Sequence, residues 1–507
     1  MKKTLIGALV FNVWLYGGVS GVVFKDYNLN GVRDSNEVGV ANIVVEAYDE
    51  NNVKVAQATS LEDGSYNLDI ANDGKYRIEF NNIPSNLKPG SAKAQSSSSV
   101  QFVENGASNV NLSLISIKEY NPGEDNVSIA VPTMHPGAST NQTDIDKQFG
   151  IVSLPYSASG DAKGEGDLNN PDFNKDATFS KMGTIWGTGY QKGSGVLYAA
   201  AFLKRHQGLG ELARPEVDGG VQDVVVDGIY LMDYSGSVGG EYLGGFKLNG
   251  VTPANGNGGV INLGSVKREI ISAEVDDSHP YALTTSTSNN RSFDVDAFDK
   301  VGRVGFGDLD IDESDNNLWV INLNQDSLIK VDITNSKALA TNDTIDGSLV
   351  SHYKIDYSLI TDCNGELHPW GLEFYNNKGY VGVVCDATST KDASDLKAYI
   401  LEFDSTNPTT FNLVKSFSLD YLKETSQFWL DEGVCALGSA GNWNYWAKSW
   451  DELGDALGPD ADGADSADYG AERACPQPIL SDITFDSNGD MIVGFIDRFS
   501  LQLDRVN

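Results

Sequence analysis

Residues 20–49 read SGVVFKDYNLNGVRDSNEVGVANIVVEAYD. The runs SGVVF and NIVVEAYD alternate apolar and polar residues with the period of half-buried β-strands. Between them, DYNLNGVRDSNE at 26–37 fits the spacing D-x-[DN]-x-[DN]-G-x5-E. In that spacing Asp26, Asn28 and Asn30 offer side-chain oxygens and Val32 its carbonyl. Asp34 supplies a direct or water-mediated contact, Glu37 two oxygens, and Gly31 permits the sharp bend. A hard cation takes about six to eight oxygens, so calcium is the expected cofactor. A solvated acidic turn without metal is the competing reading. Strands rather than helices flank the loop, which places it in a β-sandwich and not in a helix pair.

The alternation continues outward through VKVAQATS, SYNLDI, KYRIEF, SVQFV and NVNLSLISI, separated by Asn, Asp, Gly and Pro turns. About seven strands in so short a span predict an immunoglobulin-like sandwich over 21–117. Residues 118–180 lose the period in stretches such as NPGEDN and MHPGASTNQTD, and read as a linker or long surface loops. From 181 to 507 a wider rhythm of strand, polar turn and strand appears. Its clearest copies begin at 307 (GDLDIDESDNNLWVINL), 370 (WGLEFYNNKGYVGVV) and 480 (LSDITFDSNGDMIVGF). This predicts a β-propeller of about six or seven blades, and with it an all-β chain.

The chain has 507 residues, with 71 acidic against 36 basic and a formal charge of −35. Such a surface repels nucleic acid and anionic lipid and favours cations or basic partners. MKKTLIGALVFNVWLYGGVSG has the layout of a secretory signal peptide over 1–20, with cleavage after Ser20. No second apolar run of spanning length follows, so the mature chain is expected outside the cell without a transmembrane segment. Export permits disulfides among Cys363, Cys385, Cys435 and Cys475. Three pairings are open; Cys435 with Cys475 is attractive because it staples the base of an acidic, glycine-rich loop.

The run 20–49, with TSLEDGSYNLDI at 59–70 and GKYRIEF at 74–80, resembles the B-type domains of serine-aspartate-repeat bacterial surface proteins, prealbumin-like relatives of collagen-adhesin B repeats. The resemblance covers about 100 residues. It implies a calcium-stiffened extracellular spacer with Asp26, Asn28, Asn30, Asp34 and Glu37 as carried-over ligands. A single B-type domain, with neither serine-aspartate tail nor wall-sorting signal in this sequence, departs from that family. Segments such as VGRVGFGDLDID and GYVGVVCDATS resemble regions beside B-type domains in large bacterial envelope proteins, which implies location and not chemistry.

Within a propeller, Asp308, Gly371 and Asp482 fall at equivalent places before the core of a first strand. Asp308 and Asp482 are therefore channel candidates, joined by Trp370, His368, Arg205, His206, Asp497 and Arg498. One reading is a metal-assisted hydrolase or lactonase; the other is that these aspartates cap turns or bond backbone groups. No GxSxG elbow or HExxH helix occurs, and the tryptophans of GNWNYWAKSW suit a core as well as a sugar-stacking surface. The expected function is non-enzymatic: an exported or cell-surface protein whose B-type spacer presents a propeller for recognition or adhesion of an extracellular protein or glycan. The alternatives are the hydrolase and a structural subunit of a surface layer.

Overall fold

The computed structural model describes residues 18–26, 31–34, 37–84, 87–90, 98–116, 128–140, 148–156, 158–160, 172–236, 239–272, 278–285, 292–423, 435, 437–438, 441–453, 475–486 and 489–502. It is all-β and divides into two compact units, the first made of Met1–Gly123 with Ser487–Asp490.

The first unit holds β1 (Gly18–Lys25), β2 (Val44–Tyr48), β3 (Lys54–Thr59), β4 (Ser65–Asp69), β5 (Lys75–Asn81), β6 (Leu87–Pro89), β7 (Val100–Glu104) and β8 (Leu112–Ser116). They form two four-stranded sheets, ordered β4-β1-β8-β6 and β3-β2-β5-β7. One side of each central strand is buried, as the period of the sequence requires: Val19 and Val23 on β1, Val45 and Ala47 on β2, Ile78 and Phe80 on β5, and Leu112 and Leu114 on β8. β1 changes partner along its length, pairing antiparallel with β4 through Val22 and parallel with β8 from Val23. Gly39 lies against the turn before β4, where a Cβ would come within 1.9 Å of the Asp63 carbonyl carbon. β1 starts at Gly18, upstream of the cleavage point expected after Ser20; the rest of the signal-peptide reading lies outside the described residues.

The second unit begins with β9 (Ser128–Pro132), β10 (Phe149–Pro155) and β11 (Asn174–Thr178), paired as one antiparallel sheet inside the span expected to be a linker. Three four-stranded antiparallel sheets follow the strand–turn–strand rhythm. They are β12 (Ile185–Gln191), β13 (Val196–Ala201), β15 (Ile229–Asp233) and β16 (Glu241–Phe246); β19 (Phe306–Ile311), β20 (Asn317–Asn322), β21 (Ser327–Asp332) and β22 (Val350–Lys354); and β23 (Leu367–Tyr375), β24 (Lys378–Cys385), β25 (Lys397–Asp404) and β26 (Asn407–Ser418). β14 (Gln222–Val225), β17 (Ser265–Ile271) and β18 (Ala282–Thr284) make a three-stranded sheet, and β27 (Pro478–Phe485) pairs with β28 (Met491–Asp497). Among the described residues no pairing closes these sheets into a barrel or a propeller, and three of the sheets are four-stranded, where about six or seven blades were expected.

A recurring bulge joins four of these sheets, three of which begin at the sequence copies at 307, 370 and 480. Each first strand bulges against its second strand, between Ile185 and Thr188, Phe306 and Leu309, Pro369 and Leu372, and Leu480 and Asp482. The bulge sets Asp308 level with Gly371, as expected, but Asp482 one place later, level with Leu309 and Leu372. First strands pack side by side, β12 against β19, β19 against β23 and β23 against β27. The close approach falls on glycines: a Cβ on Gly187 would lie 2.7 Å from Leu309 N, and one on Gly371 3.1 Å from Asp482 N.

Two buried arginines tie remote segments together. Arg498, fully buried at the start of α3 (Arg498–Gln502), donates to the carbonyls of Val301, Ala447, Phe298 and Asp299 and to Gln477 Oε1, at 2.8–3.2 Å. The short helices α1 (Phe179–Met182) and α2 (Ala297–Lys300) precede it. Arg268 and Asp294, both without solvent exposure, form a two-pronged ion pair at 3.0 and 2.6 Å. Cys435 bonds Cys475 as expected, and Cys363 bonds Cys385 across 22 residues. Replacing Cys363 and Cys385 together by serine is expected to cost about 3 kcal/mol, the loop-closure entropy of a link that long. Denaturant melts of the oxidised chain check this; an unchanged midpoint refutes it.

Candidate functional site

The acidic loop of the first unit hangs between β1 and the bridge that Phe24 makes with Gly39. Asp26 and Glu37, at its two ends, are 2% and 4% exposed, unusual burial for carboxylates. Asp26 N–H donates to the Leu114 carbonyl on β8, which anchors the loop entrance to the sandwich. Inside the loop Gly31, at φ 68°, turns its N–H to Asp26 Oδ2 at 2.8 Å. That conformation favours glycine. At the exit Asp34 N–H donates to Glu37 Oε2 at 3.0 Å, and Arg33 reaches from the loop to the Asp63 carbonyl at 3.1 Å. Val32 lies among the described residues, whereas Asn28 and Asn30 lie outside them. The donors that can be followed are all oxygens drawn in around a glycine bend, the chemistry of a hard divalent cation.

In the second unit Asp308, one of the aspartates expected in a channel, serves the backbone. Asp308 Oδ1 accepts from Leu309 N–H at 2.9 Å and its Oδ2 from Leu372 N–H at 3.1 Å. Asp310 repeats this on Ile311 and Phe374, at 2.7 and 3.0 Å, and Glu313 takes the N–H groups of Asn376 and Asn377 at 2.7 and 3.0 Å. β19 and β23 are first strands of different sheets, so Asp308 and Asp310 tie one sheet to the next, and Glu313 ties the turn after β19 to the turn after β23. Asp482 is exposed. Its charge nonetheless bears on Asp308, Asp310 and Glu373. Burial first, then these neighbours, pushes the carboxyls of Asp308, Asp310 and Glu373 above the carboxylate range.

Glu373 shows the consequence. A carboxyl raised in the folded state costs stability as pH climbs from its unfolded value through its folded one. Glu373→Gln is therefore expected to raise the melting midpoint at about pH 8 and to change little at about pH 5. A loss of stability at both pH values refutes that reading.

The other candidates separate into structural and surface-facing groups. Arg205 donates to the carbonyls of Phe293, Asp294 and Gln502, and His206 N–H bonds Asp294 Oδ2, so both staple the fold. Asp497 Oδ1 accepts from Gln477 and Phe499 N–H and caps α3, while Arg498 is the buried tie described above. Trp370 is core, set edge-on to Phe202 at 5.6 Å, and Trp446 is fully buried.

His368 differs. Its Nε2 donates to Asp386 Oδ2 at 2.9 Å and its ring stacks on Trp446 at 4.1 Å. Burial pushes the imidazole down. Burial works against the Asp386 charge as well, yet the hydrogen bonds from His368, Thr388 and Glu366 hold that carboxyl well below its usual range. Ligand-capable atoms of Glu366, His368 and Asp386 lie within 4.8 Å of one another. Arg303 pairs with both acids, at 3.3 Å for Asp386, and Lys448 lies 2.8 Å from Glu366, so this trio already holds its own cations. Asp310, Glu373, Asp386 and Arg303 carry no motif; the period-two spacing of Asp310 from Asp308 was the one available signal.

No helix among the described residues is long and apolar enough to cross a membrane. Over 95% of its length the chain is 23% identical to Colossin-B of Dictyostelium discoideum, of which it spans 10%. Over 67 residues it is 43% identical to serine-aspartate repeat-containing protein D of Staphylococcus aureus (strain Newman), a match covering 13% of this chain and 5% of that protein. The chain thus spans a small part of these relatives. Among solved structures, a minor pilin of Streptococcus agalactiae is similar over 21% of this chain and 47% of its own, with 12% identity and a TM-score of 0.16. A luciferin-regenerating enzyme is similar over 79% and 95%, with 11% identity and a TM-score of 0.23. Residues 18–130 match the family model of the SdrD B-like domain, and the N-terminal unit is therefore a B-type domain of the kind found in serine-aspartate repeat proteins.

Proposed function

We propose that this chain is an exported or cell-surface protein in which a calcium-stabilised B-type module carries a β-propeller used for recognition or adhesion. The observation that carries this reading is the B-type domain over 18–130, whose loop draws Asp26 and Glu37 into the protein around Gly31. Calcium, when bound, would be held by Asp26, Asn28, Asn30, Asp34 and Glu37 with the Val32 carbonyl, and would act as a staple and not as a catalyst. The propeller reading is supported by the recurring bulge and by first strands packed side by side. A recognition role is favoured over a hydrolase because both oxygens of Asp308 and of Asp310 are engaged by backbone N–H groups. The test is calorimetric titration of calcium into the full chain and into Glu37→Gln. Binding that persists unchanged in the variant sinks the calcium reading.

A further inference from the structure

Within the second unit a cavity of about 520 Å³ opens where Arg303, the β20–β21 turn at Asp326, Tyr357 after β22, and Glu366 with His368 at the start of β23 meet. Small-ligand pockets run to roughly 300–1,000 Å³. Three cations, Arg303, Lys448 and Arg498, the last 3.9 Å from Asp299, stand at or beside this space against four carboxylates, Asp299, Asp326, Glu366 and Asp386. Arg303 pairs with Asp299, Glu366 and Asp386, and Lys448 with Glu366. Asp326 is left over: among the described residues no hydrogen bond or ion pair reaches its carboxylate. The Tyr357 hydroxyl is buried and also lacks a partner, and it feels the charge of Asp326. A buried hydroxyl without a partner carries a standing desolvation cost, and native structures rarely leave one without a reason.

We propose that this cavity binds a ligand through a primary ammonium group, with the Asp326 carboxylate as counter-ion and the Tyr357 hydroxyl oxygen as a second acceptor. An ammonium brings three N–H donors and no acceptor, which matches two oxygens in want of donors. Its positive charge offsets the surplus of carboxylates, whereas an anionic ligand would add to it. Leu323 and Ile360 give the cavity apolar wall for the stem that carries the ammonium. A lysine side chain and an amino sugar both present this chemistry. The proposal rests on the second unit being a recognition surface, but its test reads a site in a different unit from the calcium loop, so the two failures are distinguishable.

Burial, reinforced by Glu366 and opposed by Arg303, pushes Asp326 up to about 6. The binding form is the ionised one, so affinity should fall as pH drops through about 6. The experiment is calorimetry on the full chain at about pH 7.5 with Nα-acetyl-lysine amide and with glucosamine. Their uncharged counterparts, Nα-acetyl-norleucine amide and N-acetylglucosamine, are the controls. At least one ammonium probe is expected to bind and its counterpart not; which one binds identifies a peptide or a glycan source. Asp326→Asn should weaken binding at least tenfold and Tyr357→Phe severalfold. If Asp326→Asn fails to fold, the wild-type profile decides: loss of affinity between about pH 7 and 5 supports the proposal and a flat profile overturns it. Failure of both ammonium probes, equal binding of a neutral counterpart, or full affinity in folded Asp326→Asn also overturns it.

Discussion

Asp294→Asn is expected to destabilise the second unit by about 3–5 kcal/mol, the cost of leaving one member of a buried ion pair without its partner. Arg268 and Asp294 are both fully buried, and the carboxylate binds the guanidinium by two hydrogen bonds while also accepting from His206 N–H. Arg268 donates further to the carbonyls of Gln207 and Lys204. The amide of asparagine keeps the shape but presents a donor where Arg268 needs an acceptor, and its neutrality strands the charge. A double-mutant cycle with Arg268→Met isolates the coupling: removing Arg268 should cost much less once Asp294 has gone. Costs that simply add would mean that the two residues act through separate contacts.

This pair also marks where the sequence falls silent. Arg268 and Asp294 belong to segments 26 positions apart with no shared motif, and nothing in either segment announces that tertiary packing removes both from water. The first unit was legible because its information is local. β1, β2, β4, β5 and β8 alternate with the period of a strand packed on one face, and the loop ligands recur at fixed spacing. β6, only Leu87–Pro89, is too short for a period to register. β9 and β10 read as linker in the sequence because each is a short apolar run ending at proline, in a stretch otherwise rich in turn residues.

In the second unit the copies beginning at 307, 370 and 480 correspond to β19, β23 and β27, so the rhythm was real. Aligning them by apolar residues put Asp482 level with Asp308, because a bulge adds a residue without leaving a trace in composition. The same limit explains the site. Asp308 stood out by alignment, whereas Asp326 and Tyr357 sit in connections between strands, where their meeting is decided by how neighbouring sheets pack. Cys435–Cys475 was readable because the acidic loop between them suggests its own staple; Cys363–Cys385 joins the approach to β23 with the end of β24, a neighbourhood set by strand pairing.

Calcium is expected to raise the melting midpoint of the first unit by about 10–20 °C. At a free concentration a hundredfold above the dissociation constant, linkage supplies about 2.7 kcal/mol. In a domain of 60–100 residues each kcal/mol moves the midpoint by roughly 4–8 °C. The loop contributes this because its ends are fixed to the sandwich, at Asp26 through Leu114 on β8 and at Lys25 through Val38, so that holding the loop holds the seam where β1 changes partners. Glu37→Gln leaves the buried volume nearly unchanged and removes the charge that would meet the cation, and should melt alike with calcium and with chelator. Glu62→Gln, an exposed acid outside the loop, should keep the full shift. The full chain allows the assignment, since seven of its eight tryptophans, from Trp186 to Trp450, lie beyond the first unit. Scanning calorimetry should therefore reveal a calcium-dependent transition that tryptophan fluorescence does not follow. A shift that survives Glu37→Gln, or that appears equally in the fluorescence of the second unit, would move the calcium away from this loop.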